Sequence, residues 1–267
     1  MERFFIWSGG LTWPQLASGQ ASRRNRFNKM TELFSNVYDD NTRAESYAKL
    51  EFPGTYYLAY RDLPEIISKH VTGRRALDFG CGTGRSTRFL KKLSFDTVGV
   101  DIASDMIRKA KEFDPDGTYH LIKDGGLREY KGDDFDLALS VFTFDNIADD
   151  KVVLFRQLRD LLNSDGKIIS VVSSSDIYKN EWASFTTKEF PENVTAKSGD
   201  KVRIVMTDVE DRRPVEDIVW YDDAYREVYK EAGLEIVKSY KPLGKEDDPI
   251  EWINETRIAP WVIYVLR

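Results

Sequence analysis

Between residues 74 and 172, short apolar runs alternate with segments of helical periodicity, and no other feature restricts the fold so strongly. The runs fall at 76–79, 97–102, 119–122, 135–141 and 167–172. Between them lie a helical stretch at 86–93 and one opened by Ser104 and Asp105, with Met106, Ile107, Ala110 and Phe113 on its inner face. A further stretch begins at Asp149 or Asp150, with Val152, Val153, Phe155, Leu158, Leu161 and Leu162 forming an apolar stripe. The run at 135–141 is almost wholly apolar, as a strand covered by helices on both faces must be. Strands alternating with helices at this spacing predict a parallel, doubly wound α/β sheet.

The flanking segments read differently. Residues 1–26, rich in Gly, Ser, Gln and Arg, are expected to form a flexible or docked arm. Residues 27–73 read as helical, with one segment at 27–50 and another at 56–70, and are expected to act as a lid over the site. Residues 74–175 form the cofactor-binding core. A turn at 163–166 should lead into its fifth strand. After Ser175 the rhythm breaks: residues 176–221 read as a substrate-side insertion with strand-like runs at 202–209 and 215–221. Residues 222–267 supply a helix bearing Ala224, Tyr225, Val228 and Tyr229, stopped at Gly233, then strands at 234–240 and 260–266. A chain of 267 residues, 41% of them hydrophobic, can bury one substantial core, so residues 27–267 are expected to be a single domain.

The turn after the first run reads Asp78-Phe79-Gly80-Cys81-Gly82-Thr83-Gly84. Glycines at alternate positions let the backbone turn sharply and approach a ligand with no Cβ in the way. The second run ends at Asp101, where a carboxylate can accept hydrogen bonds from ribose hydroxyls. Two cofactor classes use such a site. Dinucleotide binders call for a third glycine where this chain has Arg85. S-adenosylmethionine has no phosphate to seat, and the observed spacing suits it.

At these residues the chain resembles the class I S-adenosylmethionine-dependent methyltransferases. Leu77 to Gly84 looks like the family's first motif, and Val98-Gly99-Val100-Asp101-Ile102 with Met106 like its ribose and adenine segment. Phe135 to Ser140 matches the fourth-strand motif. The resemblance implies a Rossmann-like, mostly parallel seven-stranded sheet with an antiparallel C-terminal edge. It also implies that Asp78, Gly80, Cys81, Gly82 and Gly84 surround the methionyl part and that Asp101 holds the ribose. Ile102 and Met106 would pack on adenine, Asp124 and Gly125 would lie at its amino group, and Ser140 and Phe142 would lie at the ligand edge. Arg61 would meet the methionyl carboxylate, although from the residues alone a surface ion pair is the better account of it. Asp101 and Asp124 have turn-forming readings of the same kind.

The expected activity is methyl transfer to an O, N or C atom of a small-molecule acceptor, in a cytoplasmic protein. A nicotinamide-dependent oxidoreductase and a non-catalytic S-adenosylmethionine-binding regulator are the alternatives. Phe144, Trp182, Trp220, Tyr221 and Tyr225 are candidate walls of the acceptor pocket. Asp145 is the candidate base if a desolvated setting raises its pKa, whereas a solvated turn would leave it inert. A single cysteine, Cys81, and two distant histidines, His70 and His120, give no metal motif. A net charge of −6 argues against a nucleic-acid partner. No run approaches the roughly 20 apolar residues of a membrane span, and the short run at 4–7 is too brief for a secretory signal.

Overall fold

The computed structural model describes residues 52–122, 127–132, 134–147 and 151–267. The arm at 1–26, the expected helix at 27–50, and Asp149 and Asp150 lie outside them. The elements run α1 (Tyr56–Arg61), α2 (Leu63–His70), β1 (Arg75–Phe79), α3 (Arg85–Lys92), β2 (Asp96–Asp101), α4 (Ser104–Phe113), β3 (Thr118–Leu121) and β4 (Phe135–Val141). There follow α5 (Lys151–Asp160), β5 (Leu162–Ser173), β6 (Phe185–Thr186), β7 (Lys201–Met206), β8 (Val215–Ile218), α6 (Asp222–Glu231), β9 (Ile236–Tyr240) and β10 (Trp261–Leu266). Seven strands form one sheet in the order β3-β2-β1-β4-β5-β10-β9. The pairs from β3 to β5 are parallel, while β10 runs antiparallel to both β5 and β9. Strand order reverses at β1 and β4, so the ends of these two strands open a crevice for ligands.

Both faces of this sheet are covered, as the uninterrupted apolar strands require. Leu137, Leu139, Ile169, Val171 and Ile263 pack on one side with Leu58, Leu63, Ile66 and Ile67 of α1 and α2. Leu77, Ala138, Ile168, Val172 and Val262 pack on the other with Phe155 and Leu158 of α5 and Tyr225 and Tyr229 of α6. The insertion folds as a separate antiparallel sheet, β6-β7-β8, whose Ile204, Met206 and Val215 extend the first of these cores.

Three local expectations are corrected. The helix predicted over 56–70 is two helices broken at Asp62, because Pro64 in the first turn of α2 has no N–H to continue the ladder. The turn predicted at 163–166 is absorbed into β5 as an irregularity: Leu162 lies opposite Phe135 and Lys167 opposite Leu137, and Asn163, Ser164, Asp165 and Gly166 bulge between them. No side chain caps α4. Asp101 instead receives the N–H of Ala103, the residue just ahead of that helix.

The helical N-terminal segment, the insertion and the β9–β10 connection meet at Glu255, which is wholly buried. Its carboxylate accepts from Thr55 Oγ1 (2.6 Å), Ala183 N (2.8 Å), Ile253 N (2.9 Å) and Asn254 N (3.0 Å). Removing it strands several buried donors at once. Glu255→Ala should therefore lower unfolding free energy by about 3 kcal/mol in urea titrations, whereas Glu251→Ala, at an exposed position, should change it by less than about 0.5 kcal/mol.

Candidate functional site

The turn between β1 and α3 is held from beneath by two carboxylates. Asp78, fully buried, accepts from Ser86 Oγ (2.7 Å) and Thr87 Oγ1 (2.6 Å) through one oxygen. Its other oxygen, Oδ1, is buried and has no hydrogen-bond partner among the described residues. Burial pushes this carboxyl up to about 6, against the pull of the two hydroxyls. Asp101 accepts from Gly82 N (2.8 Å) and Ala103 N (2.8 Å), so it braces the glycine turn against the start of α4. Its turn-forming reading is thus real.

Gly80, Gly82 and Gly84 all have positive φ, but only one faces open space. A Cβ on Gly80 would lie 2.2 Å from Thr143 Oγ1, and one on Gly84 2.6 Å from the Tyr119 hydroxyl. A Cβ on Gly82 would meet nothing within 4 Å among the described residues. Beyond Asp101, Ile102 is 60% exposed, an apolar side chain at the strand's ligand end, whereas Met106 is buried against Ala103. An open cradle above Gly82, a ribose-compatible carboxylate and an uncovered apolar surface fit S-adenosylmethionine. Cys81 is buried, which holds its thiol well above the ordinary range and removes it as a nucleophile. Asp124 and Gly125 lie outside the described residues.

Arg61 is drawn away from any such role. Its guanidinium bonds Asp62 (2.7 Å) and Asp248 (3.0 Å), an ion-pair arrangement. Arg85, where a dinucleotide binder would have glycine, lies beneath the rings of Phe52, Tyr56 and Tyr60 at 5.9, 5.1 and 5.4 Å.

An open cleft lies beside this turn. The rings of Tyr56, Phe142, Tyr178, Phe185 and Trp261 line it, together with Ile177, Ile204, Met206 and Val215. Its polar groups are Asp145, Asn146, Ser173 and Asp217. Phe142 adopts φ 62°, a conformation non-glycine residues rarely take, held by its N–H on Val171 O (2.9 Å). Its ring lies 4.4 Å from Trp261 and 5.8 Å from Tyr56. Ser140, one turn deeper on β4, is buried with its hydroxyl unpartnered among the described residues.

Asp145 is not in a solvated turn. It is buried and accepts from Ser173 N (3.0 Å), Ser173 Oγ (2.9 Å) and Tyr225 OH (3.2 Å). Burial pushes its carboxyl up to about 6, opposed by those donors and by Lys151. Asp217, which the sequence reading did not single out, accepts from Tyr178 OH (3.2 Å) and is pushed up to about 7 by desolvation and by Asp145.

None of the five predicted acceptor walls is among the residues lining this cleft. Phe144 is fully buried between Phe79 and Phe155, with ring centroids at 5.6 and 4.1 Å. Trp182 is buried with its indole N–H on Ile177 O (2.8 Å). Trp220 packs against Tyr225 and carries Lys151 Nζ 4.2 Å over its ring, and Tyr221 donates to Ala196 O (2.8 Å). Tyr225 reaches the cleft only through Asp145. His70 and His120 pair with Tyr240 and Tyr130 (2.8 and 2.6 Å) and line no part of the cleft.

A family model for a methyltransferase domain matches residues 53–239. A methyltransferase of Alkaliphilus oremlandii is 25% identical over 160 residues, covering 58% of this chain and 72% of that one. Trans-aconitate 2-methyltransferase of Afipia carboxidovorans is 37% identical over 78 residues, 28% of this chain and 29% of that one. The chain spans less than two thirds of the length of several curated relatives it matches. The crystal structure of the CcbJ methyltransferase from Streptomyces caelestis superposes with a TM-score of 0.60 at 16% identity, covering 88% of this chain and 99% of that one. Fold and site thus define a Rossmann-like α/β protein built to hold a nucleoside cofactor. The chain belongs to the class I S-adenosylmethionine-dependent methyltransferases, and S-adenosylmethionine is the cofactor that membership brings. Among the described residues no helix is long and apolar enough to cross a membrane, and no group of His, Cys, Asp and Glu is placed to hold a metal.

The raised carboxyls make stability depend on pH with a definite sign. Asp78, Asp145 and Asp217 bind protons more tightly folded than unfolded. Their contribution is therefore complete below about pH 4 and is lost as pH rises through 6 to 7. Urea-derived stability should fall between pH 5 and 7.5, and Asp217→Asn should reduce that fall by about 1–2 kcal/mol.

Proposed function

We propose that this chain transfers the methyl group of S-adenosylmethionine to a small molecule seated in the cleft at the C-terminal ends of β4 and β5. One observation carries the reading: the glycine turn and the cleft share a wall. Thr143 packs on Gly80 and donates to Phe79 O (3.0 Å), while its neighbours Phe142, Asp145 and Asn146 line the cleft. A ligand above Gly82 and a ligand in the cleft are thereby brought close together.

Bound S-adenosylmethionine supplies an electrophilic methyl on a positively charged sulfur. The chain contributes position. Asp101 accepts from the ribose, Ile102 lies against the adenine, and the backbone at Gly80, Cys81 and Gly82 bounds the amino-acid part. The aromatic wall excludes water and orients the acceptor, and holding two reactants in line supplies much of the rate enhancement. No histidine takes part. Residues 52–73, whose Tyr56 forms part of the cleft wall, are the described portion of the proposed lid. The small-molecule reading is supported by the cleft's lining, apolar and aromatic with a few polar groups, and by the relative named for trans-aconitate.

Isothermal titration with S-adenosylmethionine and with NAD tests the cofactor; tight binding of NAD alone would overturn the assignment. Two variants test the site. Asp101→Ala should weaken S-adenosylmethionine binding by roughly 1.5–3 kcal/mol. Gly82→Ala places a methyl in space that none of the described residues occupies, so it should reduce affinity at least tenfold for a stability loss of about 1–2 kcal/mol. Labelled cofactor incubated with a metabolite extract tests transfer itself: a labelled small molecule is expected, and label only on protein would redirect the proposal.

A further inference from the structure

We propose that the cleft is built for a protonated amine on an apolar or aromatic body, with Asp217 as the carboxylate that binds its ammonium group and takes its proton. This rests on the methyl-transfer reading and deepens it.

The first observation is the direction of Asp217. Along β8 the residues alternate, with Val215 and Asp217 on the cleft and Glu216 outside, paired with Lys201 at 2.6 Å. An acidic residue on the inward face of a strand, beside Val215, Ile204 and Met206, is expensive to desolvate unless something pairs with it. Among the described residues Tyr178 OH alone bonds Asp217, through Oδ2, which leaves Oδ1 without a described partner. Asp145, by contrast, is engaged by Ser173 and Tyr225 and acts as a positioning group.

The second observation is the composition of the walls. None of the described residues lining the cleft is basic. Lys151, the cation acting on Asp145, is turned to Ile147 O and the Trp220 ring. An anionic acceptor would therefore face two carboxyl groups with no counter-charge. A neutral alcohol offers Asp217 a single hydrogen bond. An ammonium group matches both features, since carboxylates and the faces of aromatic rings such as Phe142 and Trp261 attract cations.

The chemistry balances without an added reactant. The ammonium loses one proton to Asp217, which frees the nitrogen lone pair. That pair forms the N–C bond to the methyl group while the S–C bond breaks and its electrons return to sulfur. The products are the methylated ammonium, which keeps the positive charge, and the neutral thioether, and the proton leaves Asp217 for solvent. The carboxyl's position near 7 suits a group that must hold and release a proton at neutral pH. The groups acting on it are Asp145, Tyr178 and Glu216, with Lys151 and Tyr225 acting through Asp145. Tyr178 and Tyr225 are pushed well above their ordinary range and stay neutral.

The test is direct binding to the full chain, with and without S-adenosylhomocysteine, of three molecules that share a phenyl body: 2-phenylethylamine, 2-phenylethanol and 3-phenylpropionate. The amine should bind at least tenfold more tightly than the alcohol, with the carboxylate weakest. Its affinity should rise between pH 6 and 8 as Asp217 ionises. Asp217→Asn should lower the amine to the level of the alcohol while S-adenosylhomocysteine affinity stays unchanged, which shows the variant is folded. The wild-type pH profile provides a check that needs no variant. Equal or tighter binding of the alcohol or carboxylate, no amine binding by a chain that binds S-adenosylhomocysteine, or amine selectivity that survives in Asp217→Asn would each overturn the proposal. Failure to bind S-adenosylmethionine would instead count against the methyl-transfer reading and leave the amine result to be judged alone.

Discussion

A turn that offers its backbone to a ligand must give up the side chains that would normally hold it in place. Here the missing support comes from below. Asp101 takes the N–H of Gly82 and that of Ala103, and Asp78 takes the hydroxyls of Ser86 and Thr87 in the first turn of α3. Gly80 N and Cys81 N close on Val100 O at 2.9 and 3.0 Å, so β2 carries the turn on its end. Both acids sit on neighbouring parallel strands, and only the strand order around β1 puts them side by side. The cofactor edge, the position of Thr143 and the mouth of the cleft follow from that bracing.

The acceptor side has a different construction. One wall belongs to the main sheet, through Phe142 after β4, Ser173 at the end of β5 and Trp261 at the start of β10. The opposite wall comes from the insertion, whose small sheet supplies Phe185, Ile204, Met206, Val215 and Asp217. Glu255 fastens the insertion to the segment before α1 and to the β9–β10 connection. The cleft thus depends on contacts between segments some 200 residues apart, such as Thr55 with Glu255.

That separation explains what was legible in the sequence. The cofactor edge is local: strand, glycines, helix and second strand follow one another, and their residue types report directly on backbone needs. β4 was read with its observed bounds because both its faces are buried and its apolar run is unbroken. The acceptor residues leave no such record. Phe142 and Phe144 stand two apart in one short segment, yet a left-handed φ at Phe142 and the helical turn after it send one ring to the cleft and the other into the core. Trp261 was visible only as the start of a strand; its place at the ligand edge follows from β10 running antiparallel to β5. Asp217 carried a faint signal, an acid at an inward position of an alternating strand, but the inward face is known only once the insertion is docked. Trp182 and Tyr221 were chosen for their chemistry, and packing used them for structure.

The insertion's docking has a consequence for how such a chain diversifies. β7 and β8 face the cleft through alternate side chains, while the ladder between them is backbone to backbone, with the Lys201–Glu216 pair on the outer face. Exchanging Ile204, Met206 or Val215 for residues of other size or polarity leaves that ladder, and the braced turn under the cofactor, untouched. Ancestral duplicates could therefore drift toward new acceptors one side chain at a time without passing through a form that has lost its methyl donor. The same separation makes this face the natural place to begin redesigning the chain's selectivity.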